Sequence, residues 1–91
     1  MAIRDDQVFR IPDDVLHQEV GGETVLLDLD SEQYFGLDAI GTRIWALLGE
    51  GRCAEKIVAV LLDEYDVDRE RLAADVHELL GALLDAGLIE S

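Results

Sequence analysis

The sequence has little of several residue types, and each scarcity excludes a class of protein. Lysine and arginine together number 7 against 21 aspartates and glutamates, which gives a formal net charge of −14. Binding to nucleic acids and to anionic membranes depends on clustered basic residues, so neither is expected as a partner. With Cys53 as its single cysteine, the chain has no intramolecular disulfide and no cysteine-based zinc cluster.

Long apolar segments are also missing. The longest uncharged apolar runs, at residues 57–62 and 79–84, fall far short of the roughly 20 residues that span a bilayer. Residues 1–6 lack the apolar stretch of a signal peptide. The sequence therefore predicts a cytoplasmic protein without a membrane anchor.

Few side chains are placed for catalysis or metal binding. No Ser–His–Asp, Cys–His or paired-carboxylate arrangement occurs at a motif spacing. His17 and His77 each lack a second histidine at helical spacing with which to share a metal. Cys53 beside Arg52 could be a reactive thiolate at a helix start, but a small residue near an N-cap is the simpler interpretation. The sequence predicts no enzyme activity, no cofactor and no metal site.

The first half of the chain has the alternating pattern of β-strands. With 91 residues, 49% of them hydrophobic, the chain can bury the core of one domain. Strands are predicted at Val15–Val20, 24–29 and Gln33–Leu37, and Gly21-Gly22 is a hairpin turn signal between the first two. Residues 8–11 are expected to add a short strand before Pro12.

From residue 38 the apolar period becomes helical. Asp38 is the expected N-cap of a first helix that ends at Gly49 or Gly51, and a second helix is predicted over about 53–65. Asp68 is the expected N-cap of a third helix, with a hydrophobic staple between Val67 and Leu72. At its end, Gly87 and Leu88 fit a Schellman motif. Strands followed by helices predict an α+β domain.

Two features of this arrangement point to binding. The third strand contains no charged residue, although it lies at the edge of a meander, where natural proteins usually place charges or proline. The third helix has an apolar arc of about 200°, twice the roughly 100° of a one-sided helix. Either the protein's own helices cover this edge, or the edge and the helix form a groove for a peptide that adds as a strand.

The motif Tyr34-Phe35-Gly36-Leu37, followed by Ile44-Trp45 in the first helix, resembles the PqqD family. The resemblance covers about residues 15–90 and includes the apolar spacing of the third helix. It implies that residues 1–91 form a single PqqD-like peptide-recognition domain. The implied fold is a winged-helix-like α+β domain, a three-stranded antiparallel sheet followed by three helices.

The resemblance also implies a function. Members of this family recognise precursor peptides of ribosomally made natural products, whose leader segment adds as a strand beside the third strand and packs against the third helix. Such a domain is a peptide chaperone that presents the precursor to a separate modifying enzyme or leader peptidase. The implied peptide-binding residues are Gln33, Tyr34, Phe35, Gly36 and Leu37 on the strand, and Asp75, Val76, Leu79 and Leu83 on the helix. Ile44 and Trp45 are assigned to the core.

Several alternatives stay open at this point. The strand motif is most similar to the stand-alone leader-binding proteins of lasso-peptide biosynthesis, and the alternative within the class is the precursor chaperone of pyrroloquinoline quinone biosynthesis. A winged-helix transcription regulator would share the architecture, but the charge of −14 argues against it. An acidic winged-helix domain could instead pair the same edge with a second copy. We expect a monomer or a weak homodimer.

Overall fold

The computed structural model describes residues 4–91, which form three strands followed by three helices. The strands are β1 (Val15–Val20), β2 (Glu23–Asp28) and β3 (Gln33–Leu37), and the helices are α1 (Ala39–Gly49), α2 (Ala54–Glu64) and α3 (Arg69–Asp85). The predicted α+β fold is confirmed. Residues 1–3, which belong to the predicted domain, lie outside the described residues.

The strands form an antiparallel sheet in the order β1–β2–β3. Gly21 and Gly22 make the β1–β2 turn with φ of 62° and 86°, values that glycine adopts without steric cost. This two-residue turn pairs Val20 with Glu23. Because the turn fixes the register, β2 begins one residue before its predicted start at 24.

Two helix ends have the predicted caps. The Asp38 Oδ1 atom accepts a hydrogen bond of 2.8 Å from the Gly41 N–H at the start of α1. After α3, Gly87 has φ 76°, and the Leu88 N–H donates to the Leu83 carbonyl at 2.9 Å. The Schellman motif predicted for this end is confirmed.

The start of α3 differs in detail from the prediction. Asp68 occupies the N-cap position, but its side chain makes no capping hydrogen bond. Val67, the expected partner of Leu72 in a staple, is 44% exposed, whereas Leu72 is buried. The helix therefore begins where predicted, although its first turn is stabilised by the packing of Leu72 more than by local capping. Within residues 4–91, no helix is long and apolar enough to cross a membrane.

The core lies between one face of the sheet and the helices. Ile44 and Trp45 of α1 are buried, as predicted, and Leu26 of β2 is fully buried in the same hydrophobic cluster. Each side chain of this size stabilises the fold by roughly 1.5–3 kcal/mol relative to an exposed one. From α3, the buried residues are Leu72, Val76, Leu80 and Leu83.

The segment before β1 runs to the C-terminal end of the described chain. Arg10 and Glu90 form an isolated antiparallel bridge with N···O distances of 2.6 and 2.7 Å, and Phe9 is buried in the core. The short strand predicted at residues 8–11 is therefore wrong. Pairing stops at one bridge because Phe9 turns into the core and Pro12 has no N–H with which to extend a ladder.

Candidate functional site

One edge of the sheet lacks the usual protection. In the part of the chain that the structure describes, β3 pairs with β2 and no strand pairs with its other side. Its sequence, Gln33–Leu37, contains no charge. The opposite edge strand, β1, carries the charged residue Glu19. Since inward or outward charges on an edge strand discourage pairing with another chain, β3 is the edge that is open to an added strand.

A groove of about 500 Å³ lies beside the end of this edge, between β3, the start of α1 and α3. Its apolar wall comes from Leu37 of β3, Ile40 and Ile44 of α1, and Leu79 and Ala82 of α3. Ile40 is 38% exposed, so this wall is partly open to solvent. The groove is therefore an apolar surface that the chain's own helices leave uncovered.

The rim of this groove is acidic. Asp38, Asp75 and Glu78 line it, and no lysine or arginine is among its lining residues in the described chain. Asp38 has a structural task as well, because it caps α1. The groove thus combines apolar walls with a negative rim, which favours a peptide that carries both apolar and basic side chains.

The face of α3 that meets the groove is set by helical spacing. Asp75, Glu78, Leu79 and Ala82 follow the i, i+3, i+4, i+7 pattern that places residues on one side of a helix. Leu79 is half-buried, because part of it packs against the core. The wide apolar arc predicted for α3 therefore divides into a groove face and a core face.

Two of the predicted groove residues lie on the core face instead. Val76 and Leu83 are completely buried, so their side chains shape the groove from behind and do not line it. Both belong to the buried core cluster that α3 shares with α2. The other two predicted helix residues, Asp75 and Leu79, line the groove.

The predicted strand residues divide between the two faces of the sheet. Phe35 and Leu37 face the helices, with Phe35 half-buried and Leu37 buried. Gln33 lies on the same face but is exposed, whereas Tyr34 and Gly36 are exposed on the outer face. A strand added beside β3 would place alternate side chains towards the α3 groove and towards the outer face of the sheet.

Several residues that line the groove were not predicted from the sequence. Glu78 and Ala82 could have been found, since they lie three and seven positions after Asp75 on the same helical face. Asp38 and Ile40 could not, because they reach the groove through the direct passage from β3 into α1. This direct connection places the start of α1 beside the groove face of α3. No local sequence pattern indicates that placement.

The outer face of the sheet is a second apolar surface. Leu16 and Val20 of β1, Val25 of β2 and Tyr34 of β3 are between 43% and 74% exposed. The strand register places them on one face, with Glu23 as the charged residue among the strand positions of that face. An apolar patch on a chain with 31% charged residues is typical of a protein interface.

The residues considered for catalysis or metal binding have structural surroundings. The His17 ring meets the Trp45 ring edge-on, with 6.4 Å between centroids, and His77 Nε2 lies 2.9 Å from Asp5 Oδ1. Cys53 is half-buried at the N-cap position of α2. Residues 4–91 contain no group of three or more His, Cys, Asp or Glu that could hold a metal ion.

Comparison with known proteins supplies the family. The model of the family described as coenzyme PQQ synthesis protein D (PqqD) matches residues 23–89. The chain is similar to the solved structure of TbiB1 in complex with the TbiA(beta) leader peptide, with 44% identity, a TM-score of 0.84, and coverage of 90% of this chain and 95% of that chain. It is also similar to lasso peptide synthetase B1 complexed with the leader peptide, with 25% identity, a TM-score of 0.84, and coverage of 93% and 100%. No curated protein matches the chain significantly. Because the family match spans most of its length, this chain belongs to the PqqD family.

Proposed function

We propose that this chain binds the leader segment of a ribosomally synthesised precursor peptide and presents it to a modifying enzyme or leader peptidase. The leader adds as a fourth strand along the free edge of β3 and packs its inward side chains against α3. The chain itself catalyses no reaction in this proposal. The biosynthetic class is that of lasso peptides.

The free edge of β3 beside the α3 groove is the observation that carries the proposal. A peptide strand satisfies its own backbone N–H and C=O groups on such an edge, and pockets for alternate side chains provide selectivity. Here the edge contains no charge from Gln33 to Leu37, and the groove next to Leu37 has apolar walls. The β1 edge, with Glu19 on it, offers no comparable groove wall from α3.

The two solved neighbours support the identity of the bound peptide. Both were solved with a leader peptide, and one is named as a lasso peptide synthetase component. At 44% identity over 90% of this chain, TbiB1 shares enough sequence for its type of ligand to be the first one to test. The TbiA(beta) leader peptide is therefore the probe that we choose.

A second candidate follows from the family description. Coenzyme PQQ synthesis protein D names a different pathway, and a precursor of that pathway would use the same strand edge. Binding of one precursor and not the other separates the two candidates. We favour the lasso class because the more identical solved neighbour was solved with a leader peptide and the other is a lasso component.

The outer apolar face supports an adaptor role. An added strand beside β3 would continue this face, so that an enzyme docking there would contact the protein and the peptide together. The exposed side chains Leu16, Val25 and Tyr34 give such an enzyme an apolar contact area, which stabilises protein interfaces. The proposed partner is the enzyme that modifies or cleaves the precursor.

The experiment is a titration of the ¹⁵N-labelled chain with the TbiA(beta) leader peptide, followed by NMR. We expect saturable shifts at residues 33–37 and along the 75–82 face of α3, and none with a peptide of the same composition in scrambled order. Shifts confined to β1, or no shifts at high peptide concentration, would contradict strand addition at β3. Sedimentation without peptide tests the self-pairing alternative, which requires a dimer that the peptide dissociates.

A further inference from the structure

Gly36 occupies an interior position of β3 where neither the backbone nor the packing of the chain requires glycine. Its φ is not among the positive values found at Gly21, Gly22 and Gly87. A Cβ atom added at Gly36 meets nothing within 4 Å, whereas one added at Gly41 would lie 3.2 Å from Asp38 Oδ1. Glycine weakens a strand interior, and it often marks a place where another molecule approaches.

The missing side chain leaves a notch in the outer face of the sheet. The register places Gly36 directly opposite Val25, and Val25 is 43% exposed. Tyr34, two residues earlier on the same face of β3, is 74% exposed. We call Gly36 with Val25 below it and Tyr34 beside it the Gly36 notch.

We propose that the Gly36 notch receives a large aromatic or aliphatic side chain of the peptide strand that adds beside β3. This inference rests on the proposed function and identifies Gly36 as a specificity-determining residue. The chemical class of the ligand is a peptide that carries a bulky apolar residue at the position facing Gly36.

Strand geometry fixes where that side chain lies. In a pleated sheet, directly opposed residues project to the same face, so the peptide residue opposite Gly36 points to the outer face whichever way the peptide runs. Two strand spacings of about 4.8 Å separate its backbone from that of Val25. A side chain the size of Phe, Tyr, Leu or Met spans this distance when it lies flat across the glycine, and aromatic residues stabilise edge glycines in this way.

Protection of the edge does not explain the glycine. A charged residue would discourage pairing, as Glu19 does on β1, but glycine leaves the backbone of β3 more accessible. Gly36 lies between the exposed side chain of Val25 and the open edge of the sheet. A side chain of a partner strand can therefore cross Gly36 and contact Val25. The notch therefore distinguishes peptides by the size of one residue.

The first experiment determines which peptide residue faces the notch. In the complex of the isotope-labelled chain with the TbiA(beta) leader peptide, nuclear Overhauser effects from the Gly36 Hα protons identify the opposed peptide residue. We expect a large apolar side chain there, with contacts to the Val25 methyl groups. A small or charged residue opposite Gly36, or no contact with Val25, would overturn the inference.

The second experiment measures affinity in matched variants. Gly36→Val fills the notch and is expected to weaken peptide binding about five- to tenfold, while the stability of the free chain stays the same or rises. Gln18→Val is the control: it introduces the same side chain opposite Val25 but on β1, and we expect unchanged affinity. Equal affinities of the parent chain and Gly36→Val for the peptide would contradict the proposal that the Gly36 notch receives a peptide side chain.

A variant of the peptide completes the test. Alanine at the residue facing Gly36 should weaken binding to the parent chain about fivefold and weaken binding to Gly36→Val much less, because the contact with Val25 is already lost there. Equal losses in both chains would contradict the notch and leave the proposed function standing. No binding of the peptide by the parent chain would overturn the proposed function and the notch together.

Discussion

Arg43 on α1 donates hydrogen bonds to both carboxylate oxygens of Glu64 at the end of α2, with Nε 2.9 Å from Oε1 and Nη2 2.6 Å from Oε2. A bidentate pair of this geometry fixes both the separation and the orientation of the two groups. The hydrogen bond from Arg43 lowers the pKa of Glu64 below its ordinary value of 4.5, against an opposing effect of burial. The pair joins α1, which lines the groove, to α2, which packs against α3.

This pair predicts an acid-sensitive contribution to stability. Since the pKa of Glu64 is lower in the folded chain, its contribution is present above pH 4.5 and is lost as the pH falls through the lowered folded-state value. Glu64→Gln should therefore reduce the free energy of unfolding near neutral pH, and this reduction should shrink as the pH falls below 4.5. Asp63→Asn, at the preceding exposed carboxylate, is the control, and the same pH dependence in it would refute the assignment to Glu64.

The division of α3 into a groove face and a core face predicts opposite effects of the same substitution. Leu79→Asp should abolish binding of the TbiA(beta) leader peptide while the helical circular-dichroism signal persists, because Leu79 is half-buried at the groove. Leu83→Asp places a carboxylate in a fully buried position and should unfold the chain, at a cost of several kcal/mol. Loss of the fold in Leu79→Asp would show that the groove face is misassigned.

Truncating the N-cap residue to alanine is expected to lower the free energy of unfolding more at α1 than at α3. Asp38→Ala removes the 2.8 Å hydrogen bond to the Gly41 N–H and should lower the free energy of unfolding by about 1 kcal/mol. Asp68→Ala removes a side chain that makes no capping hydrogen bond and should cost a few tenths of a kcal/mol. Urea unfolding measures both, and equal losses would contradict the capping geometry.

Replacing glycine with alanine is expected to destabilise the chain at Gly87 but not at Gly36. Gly87→Ala forces a side chain into φ 76° and should destabilise the chain by about 1–2 kcal/mol. Gly36→Ala has open space for its Cβ atom and should leave the urea midpoint unchanged or raise it. A loss of stability in Gly36→Ala would mean that the folded chain itself requires this glycine.

Local chemistry explains which parts of the fold could be predicted. The Gly21-Gly22 turn, the Asp38 cap and the Schellman motif at Gly87 depend on residues within a few positions of each other, and each occurs where the sequence places it. The alternating pattern also separates Phe35 on the inner face of β3 from Tyr34 on the outer face. These features need no knowledge of tertiary contacts.

Features that depend on distant segments were not predictable in the same way. The wide apolar arc of α3 does not indicate which of its residues pack against α2. Val76 and Leu83 were therefore expected in the groove, although both are buried in the core. Residues 8–11 have a strand-like pattern, but their partner is Glu90 at the other end of the chain. Ile40 reaches the groove because α1 starts immediately after β3, an arrangement that helical periodicity alone does not contain.

The bridge between Arg10 and Glu90 holds the C-terminal end of the described chain beside the segment that leads into β1. It lies next to Val15 and Asp28, which pair with each other at the end of the sheet opposite Leu37. A flexible tether attached after Glu90 therefore starts at the end of the sheet away from Leu37 and leaves the Leu37 end of β3 accessible. The chain before the bridge leads elsewhere, because the Asp5 carbonyl accepts a hydrogen bond from the Glu55 N–H at the start of α2. An enzyme fused on that side would start from a different point and would have a different effective concentration at the bound peptide.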